Sequence, residues 1–225
     1  MMTAKEAAAY IDISAVKTQN TYSDIVELAG YAKTYHFISV HVLPCWVAAL
    51  SEMIRNVEGV LVGSPVGFPS GGHTTEVKVL EAEKLIHDGV EEMDIVMNIG
   101  RLKNKDYDYV KKELDSIIAC THGKVVTKVI IEINVLNDEE MFKACDLVMD
   151  SGADFLKTGT GWVPGGANID RISKIKRYCK DNVKVKAAGG IRTRKDFSRL
   201  IEMGVERLGI NAASAIEIVR SFDCV

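Results

Sequence analysis

The 225-residue sequence has no paired C-x-x-C spacing, no G-x-G-x-x-G behind its first strand and no apolar run of about 18 residues. Each absence excludes a class of protein. The five cysteines, Cys45, Cys120, Cys145, Cys179 and Cys224, are scattered, so no metal or redox pair is read from them. An odd, unclustered set points to reduced thiols and a cytoplasmic protein. Charge interrupts the opening Met-Met-Thr-Ala-Lys-Glu before any stretch apolar enough for a signal peptide, and without a long apolar run no membrane span is expected. With four prolines and 47% hydrophobic residues, nothing suggests extended disorder. The formal net charge is -3, so no global positive field exists to hold nucleic acid or an acidic membrane. An anionic ligand has to find its cations locally.

What is present is a repeated unit. Short apolar, β-branched runs alternate with longer amphipathic stretches, a pattern that forces parallel strands with helical crossovers. Strands are predicted over Tyr10 to Ile13, Phe37 to Val42, Val60 to Val66, Glu92 to Met97, Val125 to Ile131, Asp154 to Thr158, Val183 to Ala187 and Arg207 to Ile210. Helices are predicted over Tyr22 to Tyr35, Pro44 to Asn56, Thr74 to Asp88, Asp106 to Cys120, Asp138 to Ser151, Ile169 to Lys180, Lys195 to Met203 and Ala212 to Val219. In the third of these, Val77, Leu80, Lys84 and Leu85 with Ile86 leave an apolar stripe beside Glu81 and Glu83. Several helices run into glycine, at Gly89, Gly152 and Gly204, where a left-handed cap is expected. Eight βα units without a linker make residues 1–225 a single-domain (β/α)8 TIM barrel. An open doubly wound sheet uses the same alternation, but its glycine fingerprint is missing.

In a barrel the working groups stand at the carboxyl ends of strands. Polar candidates there are Asp12, Ser14, His41, Ser64, Asp94, Asn98, Lys128, Lys157, Thr158, Thr160, Lys186 and Asn211. Lys157 ends the strand Asp154-Phe155-Leu156, expected to be buried on both faces. Burial disfavours an ammonium and yields the neutral amine that a Schiff base needs. The alternative is a strand-end lysine snorkelling to solvent. One of Lys184 and Lys186 should also point into an apolar barrel mouth, where a second ammonium depresses the first by like-charge repulsion. A phosphate contact or plain surface charge is the other reading of Lys186. Asp94, set in an apolar strand, needs a cation and finds one in the lysines across the barrel, either as a proton-moving group or as a simple salt bridge. Glycine-rich loops at 161–166, 188–192 and 209–211 suit a phosphate held on backbone amides, although such loops also serve turns alone. The histidines show no metal-ligand spacing, and His87 and His122 read as surface or cap residues.

The runs Ala153-Asp154-Phe155-Leu156-Lys157-Thr158-Gly159-Thr160-Gly161-Trp162 and Val185-Lys186-Ala187-Ala188-Gly189-Gly190-Ile191-Arg192-Thr193 closely resemble the two lysine motifs of the deoxyribose-phosphate aldolases. The likeness extends through Val66-Gly67-Phe68-Pro69, the helix with Lys78 to Glu81, and Glu92 to Gly100. It implies a class I aldolase that needs no metal or other cofactor and cleaves 2-deoxyribose 5-phosphate to glyceraldehyde 3-phosphate and acetaldehyde. By motif match Lys157 would be the Schiff-base lysine, Lys186 its pKa-lowering neighbour and Asp94 the acid/base partner. Gly161, Gly189, Gly190 and Gly209 would line a phosphate site, with Asp12, Thr160 and Asn211 beside the substrate. The chain departs from the family pattern at Ile13, at His41 where a cysteine is usual, at Gly63, and at Asn211 and Ala212 where paired serines are usual. A sibling Schiff-base aldolase for another phosphosugar or keto compound, or a non-catalytic phosphosugar-binding barrel, therefore stays open, as does a homo-oligomer.

Overall fold

The structure, a computed structural model, describes residues 2–223. Cys224 lies outside the described residues. The strands are β1 (Ile11–Ala15), β2 (Ser39–Val42), β3 (Leu61–Val66), β4 (Glu92–Val96), β5 (Val126–Ile130), β6 (Phe155–Lys157), β7 (Lys184–Ala188) and β8 (Arg207–Asn211). All neighbours pair in parallel, and β8 closes on β1 with Asp12 beside Gly209. That last pairing separates a closed barrel from an open sheet.

The helices are α1 (Ala4–Ala8), α2 (Tyr22–Tyr35), α3 (Val47–Ile54), α4 (Thr75–His87), α5 (Ile99–Lys103), α6 (Tyr107–Thr121), α7 (Asp138–Ser151), α8 (Ile169–Cys179), α9 (Arg194–Glu202) and α10 (Ala212–Arg220). Of these, α1 and α5 are additional to the periodicity reading. Both are five residues long, too short for a 3.6-residue repeat to declare itself. Local chemistry sets the ends. Asn137 accepts the amide of Glu140 while the Glu140 carboxylate accepts the amide of Asn137, a capping box that starts α7. Gly152 then stops α7 at φ 77°, a conformation a side chain would strain. Among the described residues no helix is long and apolar enough to cross a membrane.

Alternation along the strands sorts the core into two layers. Ile11, Ile13, Val40, Val42, Ile95, Val129, Leu156, Val185, Leu208 and Ile210 are buried in the shell that the helices cover. At the intervening positions Asp12, Glu92, Asp94, Lys128, Lys157, Lys186 and Arg207 meet one another inside the barrel. The α4 face differs from the sequence expectation: Val77 is 48% and Leu80 66% exposed, while Lys78 is fully buried. The Lys78 ammonium donates to the Val96 carbonyl at 2.8 Å and to Glu113 of α6 at 2.7 Å. A buried ion pair with a partner from another helix has no signature in local periodicity.

Candidate active site

The barrel floor is an ion network with contributors from β1, β4, β5, β6, β7 and β8. Arg207 on β8 donates to Asp12 at 2.8 Å and to Glu92 at 3.0 Å. Lys128 on β5 donates to Asp12 at 3.2 Å and also to Glu92. One layer higher, Lys186 on β7 lies 2.6 Å from Asp12 and 3.0 Å from Asp94. Lys157 on β6 donates to the same Asp94 oxygen, Oδ2, at 2.6 Å. Both lysines face one compartment, with Lys157 8% and Lys186 1% exposed. Lys184, two residues before Lys186 on the same strand, is exposed at the opposite end of β7. The expectation of an apolar mouth is thereby corrected. Both amines stand on a charged floor, because closing the barrel brings carboxylates of β1 and β4 across to face the lysines.

The electrostatics divide the two amines. Burial pulls Lys157 down to about 8; Asp94 opposes the change and Lys186 adds to it. Burial acts on Lys186 in the same sense, but Asp12 and Asp94 overcome it and raise its pKa above the ordinary 10.5. Lys186 is therefore a fixed cation, whereas Lys157 yields free amine near neutral pH. Burial alone would raise the Asp94 carboxyl, yet His41, Lys157 and Lys186 hold it well below the usual carboxylate range. Asp12 is likewise held low, against its own burial, by Lys128, Lys186 and His41. The same opposition leaves Glu92 at about 2, with Lys128 the strongest of its stabilising neighbours.

Above this floor a cavity of about 400 Å³ is lined by Asp12, Ser14, His41, Asp94, Lys157, Thr160, Gly161, Lys186, Gly189, Gly190, Gly209 and Asn211, whereas the other strand-end candidates, Ser64, Asn98, Lys128 and Thr158, do not line it. Asn211 has a second task. Its side-chain oxygen accepts the Ser214 amide, capping α10 in the place an anion could take. Sequence reasoning missed Lys17 and Arg192, exposed cations on the loops after β1 and β7 that line the same cavity. No strand pattern marks a loop residue of this kind. It also missed Glu132, which follows β5 at a left-handed φ of 48° and accepts the Thr160 amide at 3.0 Å as well as its hydroxyl. Glu132 thus fixes the β6 loop over the cavity, where Trp162 stacks edge-on to Phe68 and donates to the Val16 carbonyl. Its positive φ was the available signal, but one visible only in coordinates. Asp12, His41 and Glu92 place ligand-type atoms within 4.8 Å of one another. Lys128, Lys186 and Arg207 already engage those carboxylates, so the trio is part of an ion network rather than a metal centre.

Comparison with known proteins identifies the family. Residues 4–215 match the model of the DeoC/LacD family aldolases. The chain is 43% identical over 216 residues to a deoxyribose-phosphate aldolase of Sinorhizobium medicae, covering 96% of this chain and 87% of that one. It is 40% identical to one from Thermoanaerobacter, covering 96% of both chains. Among solved structures it is similar to QR15, an aldolase, with a TM-score of 0.90, 36% identity and 96% of both chains covered. It is also similar to the tetrameric deoxyribose phosphate aldolase of Aeropyrum pernix, with a TM-score of 0.89, 27% identity and coverage of 99% and 93%. With nearly the whole barrel matched, the chain belongs to the DeoC/LacD family of aldolases and is a lyase.

Proposed function

We propose that the chain cleaves 2-deoxyribose 5-phosphate to glyceraldehyde 3-phosphate and acetaldehyde through a Schiff base on Lys157. The observation that carries this reading is the Lys157 amine, buried at the cavity floor, lowered to about 8 and 2.6 Å from Asp94. The free amine adds to the aldehyde carbon, and loss of water gives an iminium. Removal of the proton from the substrate's 3-hydroxyl lets the C2–C3 bond break, with the iminium as electron sink. Glyceraldehyde 3-phosphate leaves, and the enamine is protonated and hydrolysed to acetaldehyde. In this reading Asp94, 2.6 Å from Lys157, passes protons to and from it, and Lys186, 3.0 Å from Asp94, holds it there while keeping positive charge near the reacting nitrogen.

The substrate's phosphate would meet the backbone of Gly189 and Gly190 and the side chains of Lys17 and Arg192 at the cavity rim. One observation favours a sibling substrate: the Asn211 side chain caps α10, and Ala212 brings no hydroxyl. The assembly reading is a homo-oligomer, supported by the tetrameric Aeropyrum relative and by the exposed Val77 and Leu80 on α4.

Borohydride reduction in the presence of 2-deoxyribose 5-phosphate tests the chemistry. The expected result is a mass adduct on Lys157, absent from Lys157→Ala, whose retro-aldol rate falls by roughly 10³-fold or more. Turnover of a different sugar, with none of 2-deoxyribose 5-phosphate, moves the assignment to a sibling aldolase. No adduct with any carbonyl compound leaves a binding protein.

A further inference from the structure

His41 has so far entered only as a neighbour that helps hold Asp94 and Asp12 low, with no part in the reaction. It stands on β2 between the two layers of the network, 3% exposed and lining the cavity. Its Nδ1 is 3.4 Å from Asp94 Oδ2, the oxygen that accepts from Lys157. Its Nε2 is 3.5 Å from Glu92 and 3.6 Å from Asp12. Neither nitrogen makes a hydrogen bond among the described residues. A ring with carboxylate oxygens at both nitrogens is complementary to the imidazolium form, because a neutral ring turns one lone pair toward an anion. The barrel makes room for it. A Cβ on Gly63, the β3 neighbour of His41, would collide with the ring.

The charges around it come from every strand that faces it. Asp12 of β1 and Glu92 and Asp94 of β4 are offset by Lys128 of β5, Lys186 of β7 and Arg207 of β8, while Lys157 of β6 is the member that changes state. When Lys157 passes from amine to iminium, this buried floor gains a positive charge unless another cation gives up a proton.

We propose that His41 is a positioning residue that stores, behind Asp94, the proton consumed when Lys157 becomes an iminium. This rests on the Schiff-base reading above. In the carbinolamine the C–O bond breaks and the C=N bond forms, and the departing hydroxyl needs one proton. Imidazolium, amine and aldehyde give imidazole, iminium and water, with net charge unchanged. The proton leaves Nδ1, crosses Asp94 Oδ2 and departs in the water. Hydrolysis of the iminium returns it, so the cycle needs no further reactant. Asp94 alone is poorly suited to store that proton, since its neighbours keep it ionised.

The test measures the rate of borohydride-trappable adduct on Lys157 against pH in the wild type, His41→Asn and His41→Gln. Asn keeps a donor near the Nδ1 position and Gln one near Nε2, and neither ionises. The wild-type rate should rise with free amine and then decline toward alkaline pH as the acid is lost. Both variants should form the adduct roughly tenfold to a hundredfold more slowly at neutral pH and show no alkaline decline. A wild-type rate and profile in either variant overturns the proposal. So does a uniform slowing with the decline intact, which is the mark of a purely structural role. Should both variants fail to fold, wild-type protein with ¹³C-labelled histidine gives the answer. His36, His73, His87 and His122 are exposed, so the His41 signal is the one protected from a soluble paramagnetic probe. It must move from its imidazolium to its imidazole position as the iminium forms, and a signal that stays put overturns the proposal. If the wild type gives no adduct at all, it is the aldolase reading that has failed.

Discussion

At the scale of the residue, the two lysines show how one environment gives two amines opposite states. Both are buried, so burial alone would lower both. Lys186 lies against Asp12 and Asp94 together and stays charged, whereas Lys157 has only Asp94 and is lowered to about 8. Replacing Lys186 by Met removes a neighbouring cation and one of the competitors for Asp94, leaving Lys157 and His41 beside it. The Lys157 amine should then hold its proton more tightly, so that free amine appears only at higher pH. The rising limb of the retro-aldol rate is expected to move to alkaline pH by on the order of one unit. A pH–rate profile of Lys186→Met checks this, and an unmoved limb would remove Lys186 from the tuning role. These residues were legible in the sequence because a lysine or aspartate ending an apolar strand is an anomaly. Glu92 and Arg207 were not singled out, because the contacts of Arg207 with Asp12 and Glu92 exist only after β8 has closed on β1.

At the scale of the element, the strands were readable from their β-branched runs, and the long helices from spacing and capping residues. The inward face of α4 was not. Periodicity assigned Val77 and Leu80 to the core, but the structure turns them outward and buries Lys78 against Glu113. Both charges suffer from this. Burial lowers Lys78 and raises Glu113, each against the pull of its partner. The pair therefore contributes little net stability, while breaking it leaves one buried charge alone. Lys78→Met should destabilise the protein by about 3 to 5 kcal/mol, and the double variant Lys78→Met/Glu113→Leu should recover most of that loss. Urea unfolding of the two variants gives the comparison. A double variant as unstable as the single one would mean that the Lys78 bond to the Val96 carbonyl, rather than the ion pair, holds α4 to β4.

At the scale of the whole molecule, most barrels fill their interior with aliphatic layers, and this one fills it with charge. Composition cannot show that, since a net charge of -3 says nothing of where opposite charges meet. The arrangement makes stability depend on pH with a definite sign. Asp12, Glu92 and Asp94 have folded values below their ordinary 3.8 or 4.5, so each contributes stability that is complete above the ordinary value. That contribution is lost as pH falls toward the folded values, about 2 in the case of Glu92. On the alkaline side the lysines oppose each other. The raised Lys186 contributes stability lost as pH climbs beyond 10.5, while the lowered Lys157 makes folding more favourable between about 8 and 10.5. The urea midpoint should therefore fall steeply between pH 4.5 and about 2, and rise from about pH 8 toward pH 10 as the unfolded chain holds a proton that folded Lys157 has released. Glu92→Gln should be less stable at pH 7, because Lys128 and Arg207 lose a buried partner, and its acid limb should be shallower because one titrating carboxyl has gone. An acid limb of undiminished steepness in that variant would remove Glu92 from the groups that set the acid sensitivity.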